Sequence, residues 1–211
     1  MVTGGEDGNI VVRDLNQKLT IRFDKKHRRR ATSVAISKDG RCAVSGGGNG
    51  EIIIWDIETN TAHQLEQKHH GSITQVCMDD DGRHAVSCCE YGKVVVWDLQ
   101  QNSEIPIKRE DTRESRSVSI SGDGRYAVSG DRGDDNGGDE GGGKMFVWNI
   151  EIKQNVALKS NFDGWLTGWC GGHDGSVSCT SISHNGRYAV SGDITGQVVA
   201  WDIRGLSLIH I

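Results

Sequence analysis

The chain has a single proline, Pro106, among 211 residues, and aromatic side chains make up only 6% of it. No long stretch shows apolar residues recurring at three- and four-residue spacing, which excludes helical bundles and coiled coils. No apolar run approaches the ~18 residues that cross a bilayer as a helix. Residues 1–15 carry no apolar leader core, and Asn-x-Ser/Thr sequons are missing. The cysteines (Cys42, Cys77, Cys88, Cys89, Cys170 and Cys179) show no C-x-x-C spacing. They are expected to be buried reduced thiols in an intracellular, cytoplasmic protein. A net charge of −5 disfavours a general nucleic-acid binder.

What the chain does have is glycine, 29 residues of it, and a repeat. Four units carry Ala-Val-Ser, a polar gap and three apolar residues. They end at Trp55-Asp56, Trp97-Asp98, Trp148-Asn149 and Trp201-Asp202, and a degenerate copy ends at Arg13-Asp14. Successive endings lie 42, 42, 51 and 53 residues apart. Within a unit, Ser33 to Ser37 alternates as a half-buried strand does. Asp39-Gly40-Arg41 makes a tight turn, because glycine accepts positive φ without steric cost. Ala43-Val44-Ser45 opens a second strand and Asn49-Gly50 a second turn. Ile52 to Trp55 is a third strand, apolar on both faces and expected between neighbouring sheets. Asp81-Gly82-Arg83, Asp123-Gly124-Arg125 and Asn185-Gly186-Arg187 hold the same place in the other copies. The fold class is all-β.

Over nearly its whole length the chain resembles the WD40-repeat family, whose repeats pair a His near the start with Trp-Asp at the end. The resemblance implies a β-propeller of four-stranded antiparallel blades. It also implies a buried tetrad of His, Ser or Thr, Asp and Trp in each blade. His27, His69 and His173 match the first member, with Asp111 in that place before Trp148. Ser45, Ser87, Ser129 and Ser191 match the hydroxyl, with Thr3 in the first copy. Trp55, Trp97, Trp148 and Trp201 match the indole. The Asp place holds Asn49, Tyr91 and Thr195, while Asp7 falls in the copy lacking Trp, so no copy is expected to carry all four. The chain reads as one partial propeller of about five motifs, not a complete ring. Residues 1–24 form an incomplete first blade, and 25–66, 67–108, 109–158 and 172–205 form further repeats. Residues 206–211 read as the translation of a sequencing-library adapter. A truncated gene product is the expectation.

Chemistry has few places to reside. Gly138 to Lys144 nearly spells a phosphate-binding loop, but Met145 stands where a hydroxyl is needed and strands flank the segment. Asp131, Asp134, Asp135, Asp139 and Glu140 match no EF-hand register, so the segment reads as an acidic insertion. No nucleophile–base set, metal site or cofactor site emerges. Two blade-joining segments remain. Lys25-Lys26-His27-Arg28-Arg29-Arg30 is either a solvated loop or a nuclear-import or anionic-partner contact. Trp165 and Trp169, in a glycine-spaced segment, either tuck onto a blade or stay exposed as a hot spot. Arg28, Arg29, Arg30, Trp165 and Trp169 are therefore the candidate partner-binding residues. The resemblance implies that they share one face with the acidic insertion. The function expected is a non-catalytic scaffold for other proteins. The alternative is a regulatory repeat array within a larger multidomain enzyme, and RNA or phospho-ligand binding through the basic loop ranks below both.

Overall fold

The computed structural model describes residues 1–15, 17–66, 69–107, 115–133, 143–158, 173–205 and 207–209. Among them every regular element is a strand, and the strands form five antiparallel sheets. The first sheet has three strands, β1 (Val2–Gly4), β2 (Ile10–Asp14) and β3 (Leu19–Arg22). The second runs β4 (Ala31–Ile36), β5 (Cys42–Gly47), β6 (Ile52–Asp56) and β7 (Thr61–Gln64). The third is β8 (Ile73–Met78), β9 (His84–Cys89), β10 (Val94–Asp98) and β11 (Ser103–Ile105). The fourth is β12 (Ser115–Ile120), β13 (Tyr126–Asp131), β14 (Met145–Asn149) and β15 (Gln154–Leu158). The fifth is β16 (Val177–Ile182), β17 (Tyr188–Asp193), β18 (Val198–Asp202) and β19 (Ser207–Ile209). Each is a meander. Residues 207–209, expected to belong to a non-native tail, occupy the fourth-strand place of the last sheet.

The recurring Trp-Asp ending has a local cause for each half. Trp55, Trp97, Trp148 and Trp201 lie directly opposite Ala43, Ala85, Ala127 and Ala189 on the neighbouring strand, a large side chain paired with a small one. The residue after the indole ends the strand, and its side-chain oxygen caps the following turn. Asp56 Oδ1 accepts from the Thr59 amide at 2.9 Å, Asp98 Oδ1 from Gln101 at 2.9 Å and Asn149 Oδ1 from Ile152 at 3.1 Å. Asp14 does the same for Gln17 in the copy without tryptophan. This is the Asx-turn chemistry that favours Asp and Asn there.

The two faces of each sheet are unlike. The indole face looks back to the preceding sheet: Trp97, Ala85 and Val95 share a core with Val44 and Ile52, and Trp148, Ala127 and Phe146 with Val86, Val94 and Val96. Trp55 packs with Ile10 and Val12 of the first sheet, and Trp201 with Val128, Met145 and Val147. The valine-rich face looks forward. Val44, Ile52, Val86, Val94, Val128 and Met145 are all at most 2% exposed. In the fifth sheet the equivalent Val190 and Val198 are 44% and 67% exposed. The expectation that every third strand lies between two sheets therefore fails for this one, whose forward face no described sheet covers. The open face also corrects the expectation of buried thiols at Cys179, which is exposed. One prediction follows from the asymmetry. Val94→Ala is expected to cost about 2 kcal/mol in urea unfolding, while Val198→Ala, chemically the same change, stays within ~0.5 kcal/mol. Equal costs would contradict the packing.

The innermost strands β4, β8, β12 and β16 carry the contacts between successive sheets. Each has a bulge at one place, at Thr32, Thr74, Arg116 and Ser178, where the register shifts by one residue. A bulge re-aims the side chain that follows it. Ser33 Oγ accepts from the Val76 amide at 3.0 Å, Gln75 Oε1 from Val118 at 3.1 Å and Ser117 Oγ from Thr180 at 2.9 Å. A ladder of side-chain to backbone bonds thus links the second, third, fourth and fifth sheets in succession, and the sequence pattern held no sign of it.

Candidate functional site

Three buried triads occupy the blade interiors. Trp55 Nε1 donates to Ser45 Oγ at 2.7 Å, and His27 Nε2 lies 2.6 Å from the same oxygen. Trp97, Ser87 and His69 repeat this at 2.7 and 2.7 Å, and Trp201, Ser191 and His173 at 2.8 and 2.5 Å. The indole can only donate, so the serine hydroxyl accepts from it and donates to the imidazole. That assigns the ring proton to Nδ1 in each case, by inference from the network. Trp148 donates to Ser129 Oγ at 2.9 Å; Asp111, in the histidine place of that copy, lies outside the described residues. Thr3 and Asp7 do not extend the series. Thr3 donates to the Val11 carbonyl, and Asp7 accepts from the Asn9 amide within its own turn.

A carboxylate was not expected in any complete set, and here the structure corrects the sequence reading. Asp193 Oδ2 lies 3.3 Å from His173 Nδ1, both side chains fully buried, and completes the fourth member with Ser191 and Trp201. Asp193 Oδ1 also accepts from Thr195 Oγ1 at 2.7 Å and from the amides of Thr195 and Gln197 at 2.9 Å. The Gly175 amide donates to Oδ2 at 3.1 Å. Burial pushes its pKa up, but the bonds from Thr195, Gln197 and Gly175 outweigh this and bring it down to about 2. Thr195, assigned to the acid's place, is instead the acid's donor. In the second sheet Glu51, not Asn49, supplies the carboxylate, 3.6 Å from His27 Nδ1. The visible signal was Ala-Val-Ser-Gly-Asp, which ends at Asp131 and again at Asp193.

These groups are committed to the fold. His27 and His173 are held below the ordinary imidazole range, by burial first, with Glu51 and Asp193 opposing. Burial likewise raises the thiol pKa of Cys42 and Cys77 to about 11 and that of Cys88 to about 12. Such thiols stay protonated at neutral pH and are poor nucleophiles. Among the described residues no three His, Cys, Asp or Glu side chains converge as a metal would need, and no helix is long and apolar enough to cross a membrane.

The candidate arginines lie at one end of the sheets, where the loops joining one sheet to the next meet the turns between second and third strands. Backbone bonds tie the two sets together: His27 N to Gly8 O, Gly48 N to Arg30 O, His69 N to Gly50 O and Glu90 N to Ser72 O. The basic loop is gripped between two such turns. Gly8, at φ 80°, comes so close that an added Cβ would lie 2.7 Å from the Arg29 carbonyl oxygen, which leaves room for glycine alone. With its backbone fixed, the loop projects Arg28, Arg29 and Arg30 into solvent. Arg28 Nε pairs with Glu51 Oε1 at 3.5 Å. Two further side chains stand out on this end. Tyr91, read from sequence as a departure at the acid's place, is 69% exposed, and Ile194 is 71% exposed. Trp165 and Trp169, the stretch 134–142 with most of the acidic insertion, and residues 138–142 of the near phosphate-loop match lie outside the described residues. The opposite end is made of strand turns, where Asp80 Oδ2 meets Lys38 Nζ at 2.8 Å and His184 Nδ1 at 3.1 Å.

A comparison with curated proteins finds no match. Against family profiles, the WD domain, G-beta repeat matches residues 18–56, 62–98 and 164–202. Repeats of this kind generally mediate protein–protein interaction and are typically non-catalytic. The matched segments span more than half of the chain and end on the Trp-Asp pairs that wedge the sheets together, and the chain belongs to the WD40-repeat family.

Proposed function

We propose that this chain is a non-catalytic scaffold that docks other proteins on its loop-bearing end. The observation that carries the proposal is a division of labour among side chains. The His and Ser groups of the repeated sets are buried within the sheets, while one end exposes three consecutive arginines, Arg28 to Arg30, and Tyr91, at 69% the most exposed tyrosine. The other end spreads Arg41, Arg83, Arg125 and Arg187 one to a sheet. Tyrosine, tryptophan and arginine dominate the binding energy of protein interfaces, and loops on a rigid framework are where binding residues concentrate. Trp165 and Trp169 belong, by sequence, to the segment that joins β15 to β16, and they are proposed to contribute to the same end. Cytoplasmic residence accords with the protonated thiols, and the basic loop keeps nuclear residence open as a variant of the same proposal.

Affinity capture from cell lysate provides the test. Tyr91→Ala, Trp165→Ala with Trp169→Ala, and Arg29→Glu with Arg30→Glu are each compared with wild type. Lys153→Ala, in a turn at the opposite end, is the control. Partners captured by wild type and the control are expected to be lost or sharply reduced in the loop-end variants. Undiminished capture by all of those variants would remove this end as the docking site.

A further inference from the structure

We infer that the loop-bearing end takes a short acidic segment of a partner protein, seated between the Arg29–Arg30 edge and the Glu90–Tyr91 turn. The inference rests on docking at this end and adds the chemistry of the partner. Among the described residues, Lys25, Lys26, Arg29 and Arg30 have no ion-pair partner, and Glu51 is already engaged by Arg28. These cations stand on a backbone held by bonds to Gly5, Gly8 and Gly48, so little ordering is needed before a ligand arrives. A cavity of about 500 Å³ opens beside them, lined by Gly5, Arg30, Thr32, Thr74 and Glu90 among others. The Thr32 hydroxyl donates to the Gly46 carbonyl, which leaves its oxygen free to accept from a peptide N–H, whereas Thr74 Oγ1 is engaged by both the carbonyl and the thiol of Cys88. Tyr91, next to Glu90 and lying over Gly71, offers an apolar face at the rim.

The same rim carries Glu6, Asp7 and Glu90, and this decides between a peptide and a nucleic acid. A phosphate backbone repeats its charge at every nucleotide and would meet these carboxylates as it crossed the end. A peptide can confine its acids to the arginine edge and present neutral or basic residues to Glu90. The occupant that fits is a protein segment with a compact acidic cluster followed by an apolar or basic residue.

Fluorescence anisotropy with three probes tests this on the full chain. The first probe is a short labelled peptide with consecutive Asp and Glu residues followed by Leu and Lys. The second has those acids replaced by Asn and Gln, and the third is a single-stranded RNA of similar length. The acidic peptide is expected to bind, and to weaken about tenfold with Arg29→Glu and Arg30→Glu, as reversal of interface charges does. The neutral peptide should match that loss on the wild-type chain, and the RNA should bind no better than the neutral peptide. Equal binding of the acidic and neutral peptides, no binding of the acidic one, an unaffected charge-reversed variant, or tighter RNA binding would each overturn the inference. Circular-dichroism melts of the variants, expected to overlay wild type, establish that they fold. If Tyr91→Ala abolishes lysate capture while charge reversal leaves it intact, the acidic segment is wrong and the docking end stands. If no loop-end change affects capture, both fall.

Discussion

Replacing Trp97 with alanine is expected to lower the stability of the chain by ~3–5 kcal/mol, the cost of emptying a large buried aromatic site. The indole is almost fully buried in the cluster that joins the third sheet to Val44 and Ile52 of the second. Its removal opens a void in the core that the two sheets share. It also withdraws the donor that fixes Ser87, which then keeps only its bond to His69. Trp97→Phe separates the two contributions. It retains most of the apolar area and forfeits the 2.7 Å bond, a loss of roughly 1 kcal/mol. Urea unfolding followed by far-ultraviolet circular dichroism measures both. Since whole domains are stable by only ~5–15 kcal/mol, the alanine variant should unfold at a visibly lower denaturant concentration. An unchanged midpoint would mean that the indole does not wedge the sheets.

The second large effect belongs to Asp193. Asp193→Asn places an amide NH₂ where one carboxylate oxygen now accepts, opposite donors already aimed at that oxygen, and removes the charge facing His173. A loss of about 2 kcal/mol is expected at neutral pH, the range for withdrawing a charged acceptor from buried hydrogen-bond donors. The pH dependence carries its own signature. The native carboxyl titrates at about 2 against an ordinary value of 3.8. Its contribution is therefore complete above the ordinary value and is lost as pH falls through 3.8 toward 2. At 1.36 kcal/mol per pKa unit this amounts to about 2 kcal/mol. His27 and His173 act at higher pH. Their native pKa values lie below the free value of 6.5, so the unfolded chain takes up protons first and stability falls as pH drops below that point. Unfolding midpoints across the acid range should decline in two stages for the wild type. Asp193→Asn should shrink the lower stage, to which Asp7, Asp39 and Asp80 also contribute, and parallel curves below pH 4 would contradict the assignment.

Much of this architecture could be read from residues alone, for reasons that are local. The two-residue alternation of Ser33 to Ser37, the glycine turns after Asp39, Asp81 and Asp123, and the cap after each indole are decided within a few residues of chain. Trp55, Trp97, Trp148 and Trp201 were legible because burial of a large ring opposite an alanine recurs at one register position. The features that escaped depend on what lies across an interface. Val94 and Val198 hold the same place in the repeat, and only the presence or absence of a neighbouring sheet distinguishes them. Asp193 was passed over because the acid was sought four residues after the serine, whereas the strand end brings the second residue back toward His173. Tyr91 was treated as a failed acid, yet a side chain that cannot enter the tetrad is left on the surface, available to a partner. The ladder from Ser33, Gln75 and Ser117 depends on bulges that no residue pattern announced.

Amine cross-linking of a captured complex, read by mass spectrometry, tests the docking end most directly, because lysines mark both ends of the sheets. Lys25 and Lys26 lie in the basic loop, while Lys38 and Lys153 lie in turns at the opposite end. Partner cross-links are expected at Lys25 and Lys26, with Lys38 and Lys153 modified to the same extent with and without partner. Cross-links confined to Lys38 and Lys153 would place the partner on the other end and contradict the account.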